Sequence, residues 1–283
     1  MRMTISADAD EGAGGRGPQP RSLIVTLYGL YAREVGGWVS VSALIRLMAE
    51  LGVDAPATRS AVSRLKRRGL LEARRVSGSA GYELSAEGRG VLDEGDQRIF
   101  GRSRAEVEDG WLLAVFSVPE SERQQRHVLR SRLSWLGFGT AAPGVWIAPR
   151  HLYQETREVL DRYGLTGYVD LFEARHLAFG EVAQLVGSWW DLDGLRGLYE
   201  EFVGAFGAVL ERRRDGRTDA ESFAEYLRAL TAWRRLPFLD PGLPPELLPE
   251  DWPGTRAAAL FDELRERLAE PAHRFARSVI EAG

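Results

Sequence analysis

A chain of 283 residues is longer than one hydrophobic core usually organises, so two or three domains are expected, and a make-up of 44% hydrophobic and 28% charged residues is that of a globular protein. The absence of cysteine excludes disulfides, thiolate metal sites and cysteine nucleophiles, while His127, His151, His176 and His273 are too scattered for a short metal-binding motif, so no metal, cofactor or catalytic residue is expected. The net charge of −4 hides a split: residues 21–104 carry 14 Arg and Lys against 9 Asp and Glu, and residues 105–283 carry 21 against 29, which suits only the N-terminal end to a polyanion.

Residues 1–19 are polar, glycine-rich and aperiodic, and are expected to form a disordered tail. Gly12, Gly14 and Gly17 spell a dinucleotide-type glycine motif, but no strand precedes it and no helix follows, so that reading is set aside. No apolar run approaches the roughly 20 residues that cross a bilayer, and the first residues lack the apolar core of a secretory signal, so no membrane contact is expected and the cytoplasm is the expected location.

Leu23, Leu27, Leu30 and Tyr31 fall at helical spacing up to the stop at Gly36 and Gly37. Trp38 and Val39 suggest a short edge strand. Ser40 then caps a helix ending at Gly52, and Asp54 caps another, with Pro56 in its first turn, running to Gly69. Two extended runs, 70–76 and 82–84, joined by a Ser/Gly tip at 77–81 that is expected to be flexible, form a hairpin. Ser85 caps a further helix. Helix, strand, helix, helix, hairpin is the order of a winged helix-turn-helix, spanning residues 20–104.

Within the third helix Ala61, Val62 and Leu65 form an apolar stripe, whereas Ser60, Ser63, Arg64 and Arg67 share another face flanked by Arg59, Lys66 and Arg68. A major groove about 12 Å wide admits such a helix, and arginine can pair with the two acceptors of guanine. Arg74 and Arg75 on the hairpin are placed for phosphates. Double-stranded DNA is the partner this pattern predicts. A merely solvated charged face would not bring the caps, the basic helix and the basic hairpin together in this order.

Residues 105–178 read as strand (Trp111–Val118), helix capped by Ser121, hairpin across Pro143 and Gly144, helix (150–163) and strand (Tyr168–Glu173), the βαββαβ order of a ferredoxin-like domain. A nucleic-acid-processing enzyme using this domain is the alternative function, but the first strand lacks an acidic residue at its end. Residues 179–283 predict a helical effector and dimerisation domain, with a helix capped by Asp193, a second helix over 219–235, a proline-rich but packed loop over 236–253, and an amphipathic helix over 255–280. Trp189, Trp190, Trp233, Arg234 and Arg235 are candidates to wall a pocket for an anionic, partly apolar effector. The fold class is thus α+β multidomain.

Four sets of residues carry a family resemblance: Arg21–Tyr31, Arg59–Gly69, Leu136–Gly139 with Pro143–Pro149, and Leu236–Pro244 with Leu248–Gly254. In these the chain resembles the phenylacetate-catabolism repressor (PaaX-like) family over about residues 21–278. The resemblance implies a winged helix, a central domain similar to the small CRISPR-adaptation nuclease and a helical C-terminal domain. It further implies a dimeric repressor released from its operator by an aryl-acetyl-coenzyme A, with base and phosphate contacts on the helix from Arg59 to Arg68. The nuclease relatives carry an aspartate where this chain has Phe116 and Ser117, which argues against cleavage.

Overall fold

The computed structural model describes residues 19–101, 104–177, 179–211 and 216–283. The tail expected over 1–19, with its glycine motif, lies outside the described residues except for Gln19. The architecture is mixed, with two small antiparallel sheets and a helical C-terminal region among the described residues. It falls into two compact units: one joins the chain up to Ile99 with 201–234 and 255–283, the other joins 100–200 with 235–254.

In the first unit, α1 (Pro20–Leu27) continues through a wide π-helical turn, Tyr28–Ala32, and a 3₁₀ turn, Arg33–Val35. Gly36 and Gly37 then stop it at φ of 89° and 86°. The extra residue in the π turn, which simple periodicity does not reveal, brings Tyr28, Tyr31 and Ala32 all inward. Strand β1 (Trp38–Ser40) leads into α2 (Val41–Glu50), where the Ser40 hydroxyl accepts from the Ala43 amide at 3.0 Å. Helix α3 (Ala55–Arg67) is capped by Asp54, which accepts from the Ala57 amide at 2.7 Å. Strands β2 (Leu71–Val76) and β3 (Ser79–Leu84) complete a sheet of order β1-β3-β2, followed by α4 (Ala86–Phe100), whose Gly88 amide donates to the Ser85 hydroxyl at 2.9 Å.

The hairpin differs from expectation. Residues 77–81 are not a flexible tip: Ser77 and Gly78, at φ of 50° and 85°, make a two-residue turn, and Ser79 already pairs with Val76. Two consecutive positive φ values match the right-handed twist of the flanking strands, so a tight turn serves where a loose one was expected. Gly81 lies within β3 because a Cβ there would approach the Trp38 ring to 2.5 Å.

The second unit contains β4 (Trp111–Phe116), α5 (Arg123–Trp135), β5 (Gly139–Ala142), β6 (Val145–Pro149), α6 (Tyr153–Arg162) and β7 (Val169–Ala174). The strand order is β5-β6-β4-β7, antiparallel throughout. One face of the sheet, Leu112, Ala114, Trp146 and Ala148, packs on Leu129 and Leu133 of α5 and Val159 and Leu160 of α6. The alternate residues, Trp111 and Ile147, meet Val186 and Trp190 of and after α7 (Val182–Trp189) and Leu243. Ser121 does not cap α5: a 3₁₀ turn at Glu120–Glu122, begun after Pro119, takes that place.

Helix α8 (Leu192–Glu211) is capped not by Asp193 but by Asp191, whose carboxylate accepts from the Gly194 amide at 2.9 Å. Glu200 closes the second unit's share of it and Glu201 opens the first unit's. Helix α9 (Asp219–Trp233) belongs to the first unit, as does most of α11 (Pro253–Glu281). Between them in the chain lies α10 (Leu236–Leu239) and the proline-rich segment, which is packed: Pro241, Gly242, Leu243 and Pro244 are buried, and the buried Asp240 carboxylate accepts from Tyr199 Oη at 2.7 Å and from the Gly242 amide at 2.8 Å.

Candidate nucleic-acid interface

The solvent-facing side of α3 follows from what its other side buries. Thr58, Ala61, Val62 and Leu65 turn inward, leaving Arg59, Ser60, Ser63, Arg64, Lys66 and Arg67 exposed, with Arg68 half-buried at the C-cap. From Ser60 to Arg67 the exposed row is about 10 Å long at 1.5 Å per residue. Strand β2 adds to it. Glu72, Ala73, Arg74 and Arg75 are exposed in succession, so both faces of this strand meet solvent, and it projects rather than covering a core.

The side chains on this surface are held unequally. Arg74 pairs with Glu83 at 2.6 Å, and its carbonyl accepts from the Trp38 indole at 3.2 Å, which ties the projecting strand back to β1. Among the described residues no carboxylate pairs with Arg59, Arg64, Lys66, Arg67 or Arg75. Chemically this is a row of hydrogen-bond donors and positive charges on a rod, next to a ribbon carrying the same charge, over an apolar underside. Sequence reasoning missed Glu83 as the partner of Arg74; the two lie on neighbouring strands, and only the hairpin register brings them together.

The five residues put forward for an effector are divided between the two units. Trp189 and Trp190 come together on Trp111, with ring centroids 5.5 Å and 6.1 Å from it, and the Trp190 indole donates to the Gly137 carbonyl at 2.8 Å. Trp233 is a core residue of the first unit, stacked on Phe261 at 4.7 Å and 9° and touching Phe202 at 5.3 Å. Arg234 is half-buried in that unit, and Arg235, exposed, belongs to the other. At the end of β4, where a nuclease would place an acid, Ser117 donates its amide to the Tyr168 carbonyl at 3.2 Å. Among the described residues no three His, Asp or Glu side chains lie close enough to hold a metal ion, and no helix is long and apolar enough to cross a membrane.

Comparison with known proteins matches the chain in three consecutive segments: residues 19–88 to "PaaX-like protein", 104–186 to "PaaX protein central Cas2-like domain" and 190–278 to "PaaX-like protein C-terminal domain". It is 29% identical over 263 residues to "Transcriptional repressor PaaX" of Escherichia coli (strain K12), covering 90% of this chain and 82% of that one. Among solved structures, "Uncharacterized protein Rv0674 from Mycobacterium tuberculosis" is similar with a TM-score of 0.57 and 25% identity, over 88% of this chain and 99% of that one. The matches define the class, a transcriptional regulator and not an enzyme. The chain belongs to the PaaX-like family.

Proposed function

We propose that the chain is a repressor that binds a palindromic DNA operator as a homodimer and is released by an anionic effector, an acyl-coenzyme A such as an aryl-acetyl-coenzyme A. The observation that carries the DNA reading is the exposed cationic row on α3, without a carboxylate partner among the described residues, beside the two-sided exposure of β2. In this reading the elements from α1 to β3 are a winged helix-turn-helix, with α3 entering the major groove and β2 reaching the neighbouring backbone. The second unit's βαββαβ order, with its central pair flanked by an edge strand on either side, reads as a ferredoxin-like scaffold.

Two copies related by a two-fold axis would present two such helices to successive grooves, so half-sites should lie about 34 Å or a multiple of it apart. Of the effector candidates, Trp190 and Trp233 are core residues; Trp189, Arg234 and Arg235 keep the accessibility that a ligand needs. A preference of about 2–3 kcal/mol for the DNA-incompetent state would weaken operator binding by roughly 30- to 150-fold. Footprinting of duplexes enriched by the protein from a random library tests this. Paired protections one or more helical turns apart, lifted by phenylacetyl-coenzyme A, are expected. A single unpaired protection removes the dimer, and protections unchanged by any acyl-coenzyme A remove the effector while leaving the DNA contact.

A further inference from the structure

The second unit sits in the acidic part of the chain, yet its first helix is basic: the 13 residues of α5 include Arg123, Arg126, Arg130, Arg132 and His127, and no acid. Two of these arginines serve the fold. Arg126 donates to Glu120 at 2.9 Å and to the Val118 carbonyl at 2.6 Å, and Arg132 is buried with its guanidinium 3.7 Å from the centre of the Tyr163 ring. The remaining side chains, Arg123, His127 and Arg130, are exposed at i, i+4 and i+7, with Gln124 and Ser134 beside them. Among the described residues no carboxylate pairs with Arg123 or Arg130, and the two acids at the helix start are engaged elsewhere, Glu120 by Arg126 and Glu122 by the Tyr168 hydroxyl.

The same chain shows what an ordinary solvated basic face looks like. On α11, Arg265, Arg267, Arg274 and Arg277 each have a carboxylate within 3.3 Å. Helix α5 departs from that pattern and resembles α3: exposed arginines with no carboxylate partner among the described residues, polar residues on the same face, an apolar underside. Arg130 also lies over the Trp146 ring at 5.9 Å, which fixes its stem and leaves donors for a ligand. The face is convex, whereas small-molecule sites are concave. A row about 10 Å long faces several charges of a duplex, whose strands each carry one every ~3.4 Å along the axis.

We propose that the exposed face of α5, through Arg123, His127 and Arg130, is a second contact to duplex DNA, made to its phosphates and indifferent to sequence. The proposal rests on the reading that the chain binds duplex DNA, and adds the second unit to that contact.

The test uses the full-length protein and two duplexes of equal length, one enriched by the wild type from a random library and one unrelated, with affinity followed by fluorescence anisotropy over a salt series. In Arg123→Gln/Arg130→Gln the slope of log affinity against log salt should flatten by about 1.8, and in Arg123→Gln alone by about 0.9, on both duplexes alike. Arg265→Gln/Arg267→Gln, which removes the same charge from α11, should leave the slope unchanged. Among the described residues the Arg123 side chain makes no hydrogen bond or ion pair, so the single variant keeps the test valid even where the double variant melts early. Unchanged slopes in the α5 variants, or an equal flattening in the α11 control, overturn the proposal and leave the DNA reading standing. A wild type that retains neither duplex at low salt overturns both.

Discussion

Arg64 and Arg67 lie one turn apart on the exposed side of α3, with no acid among the described residues to hold them, and the helix offers no Asn or Gln with which to read adenine. Replacing either with alanine should cost about 1–3 kcal/mol of binding to an enriched duplex and relax preference at guanine positions, measured by anisotropy on single-base variants of that duplex. Asp54→Ala should lower stability by about 1 kcal/mol in denaturant unfolding, through loss of the hydrogen bond to the Ala57 amide. Caps such as Ser40, Asp54 and Ser85 were legible in the sequence because a short polar residue before an apolar period has one common structural use. Asp191 was not. Two carboxylates two residues apart offer the same chemistry, and only the path of the chain from α7 decides which of them faces the open amides of α8.

Among the elements, the hairpin shows the limit of reading composition. Ser77-Gly-Ser-Ala-Gly81 looks like a flexible tip, yet just two of its residues turn, because the register to β2 and the room Gly81 makes for Trp38 absorb the other three into β3. Gly78→Val forces a branched side chain to φ of 85° and should cost about 1–3 kcal/mol in thermal unfolding, with weaker DNA retention if β2 is a contact element. Helix α3 carries four cations and β2 two, and Arg68 at the C-cap brings the stretch from Arg59 to Arg75 to seven against one acid. With Arg64 and Arg67 on bases, the other five meeting phosphates would contribute about −4.5 to the salt slope per protomer.

At the scale of the molecule, the elements from α1 to α4 do not cover their own core. Thr231 of α9 meets Thr26 of α1 at 2.9 Å, and the Tyr31 ring lies against Phe223 and His273 at 5.7 Å and 5.9 Å. The units therefore cut across the boundary expected at residue 179, drawing α9 and most of α11 to the N-terminal module. Amphipathic spacing showed that these helices have an apolar stripe, but a stripe does not name its partner, and no local signal connects residue 26 with residue 231. Phe223→Ala, at a fully buried position, should destabilise the first unit by about 3–5 kcal/mol although it is nowhere near α3 in sequence. Burial raises the phenol pKa of Tyr28 and Tyr31 and pushes that of Tyr226 up to about 12. The unfolded chain ionises first, so their contribution is intact below pH 10 and falls above it. The loss from Tyr226 should be about 1.4 kcal/mol per pH unit between pH 10 and about 12, seen as a falling unfolding midpoint in that range.

The most direct measurement is the salt dependence of duplex binding by the wild type and by Arg64→Ala/Arg67→Ala, with both proteins shown to melt at the same temperature. The wild type should hold an enriched duplex far more tightly than an unrelated one, and the double variant should lose that preference while keeping a weaker, salt-sensitive grip on both. A double variant that discriminates as well as the wild type would mean that α3 does not read DNA.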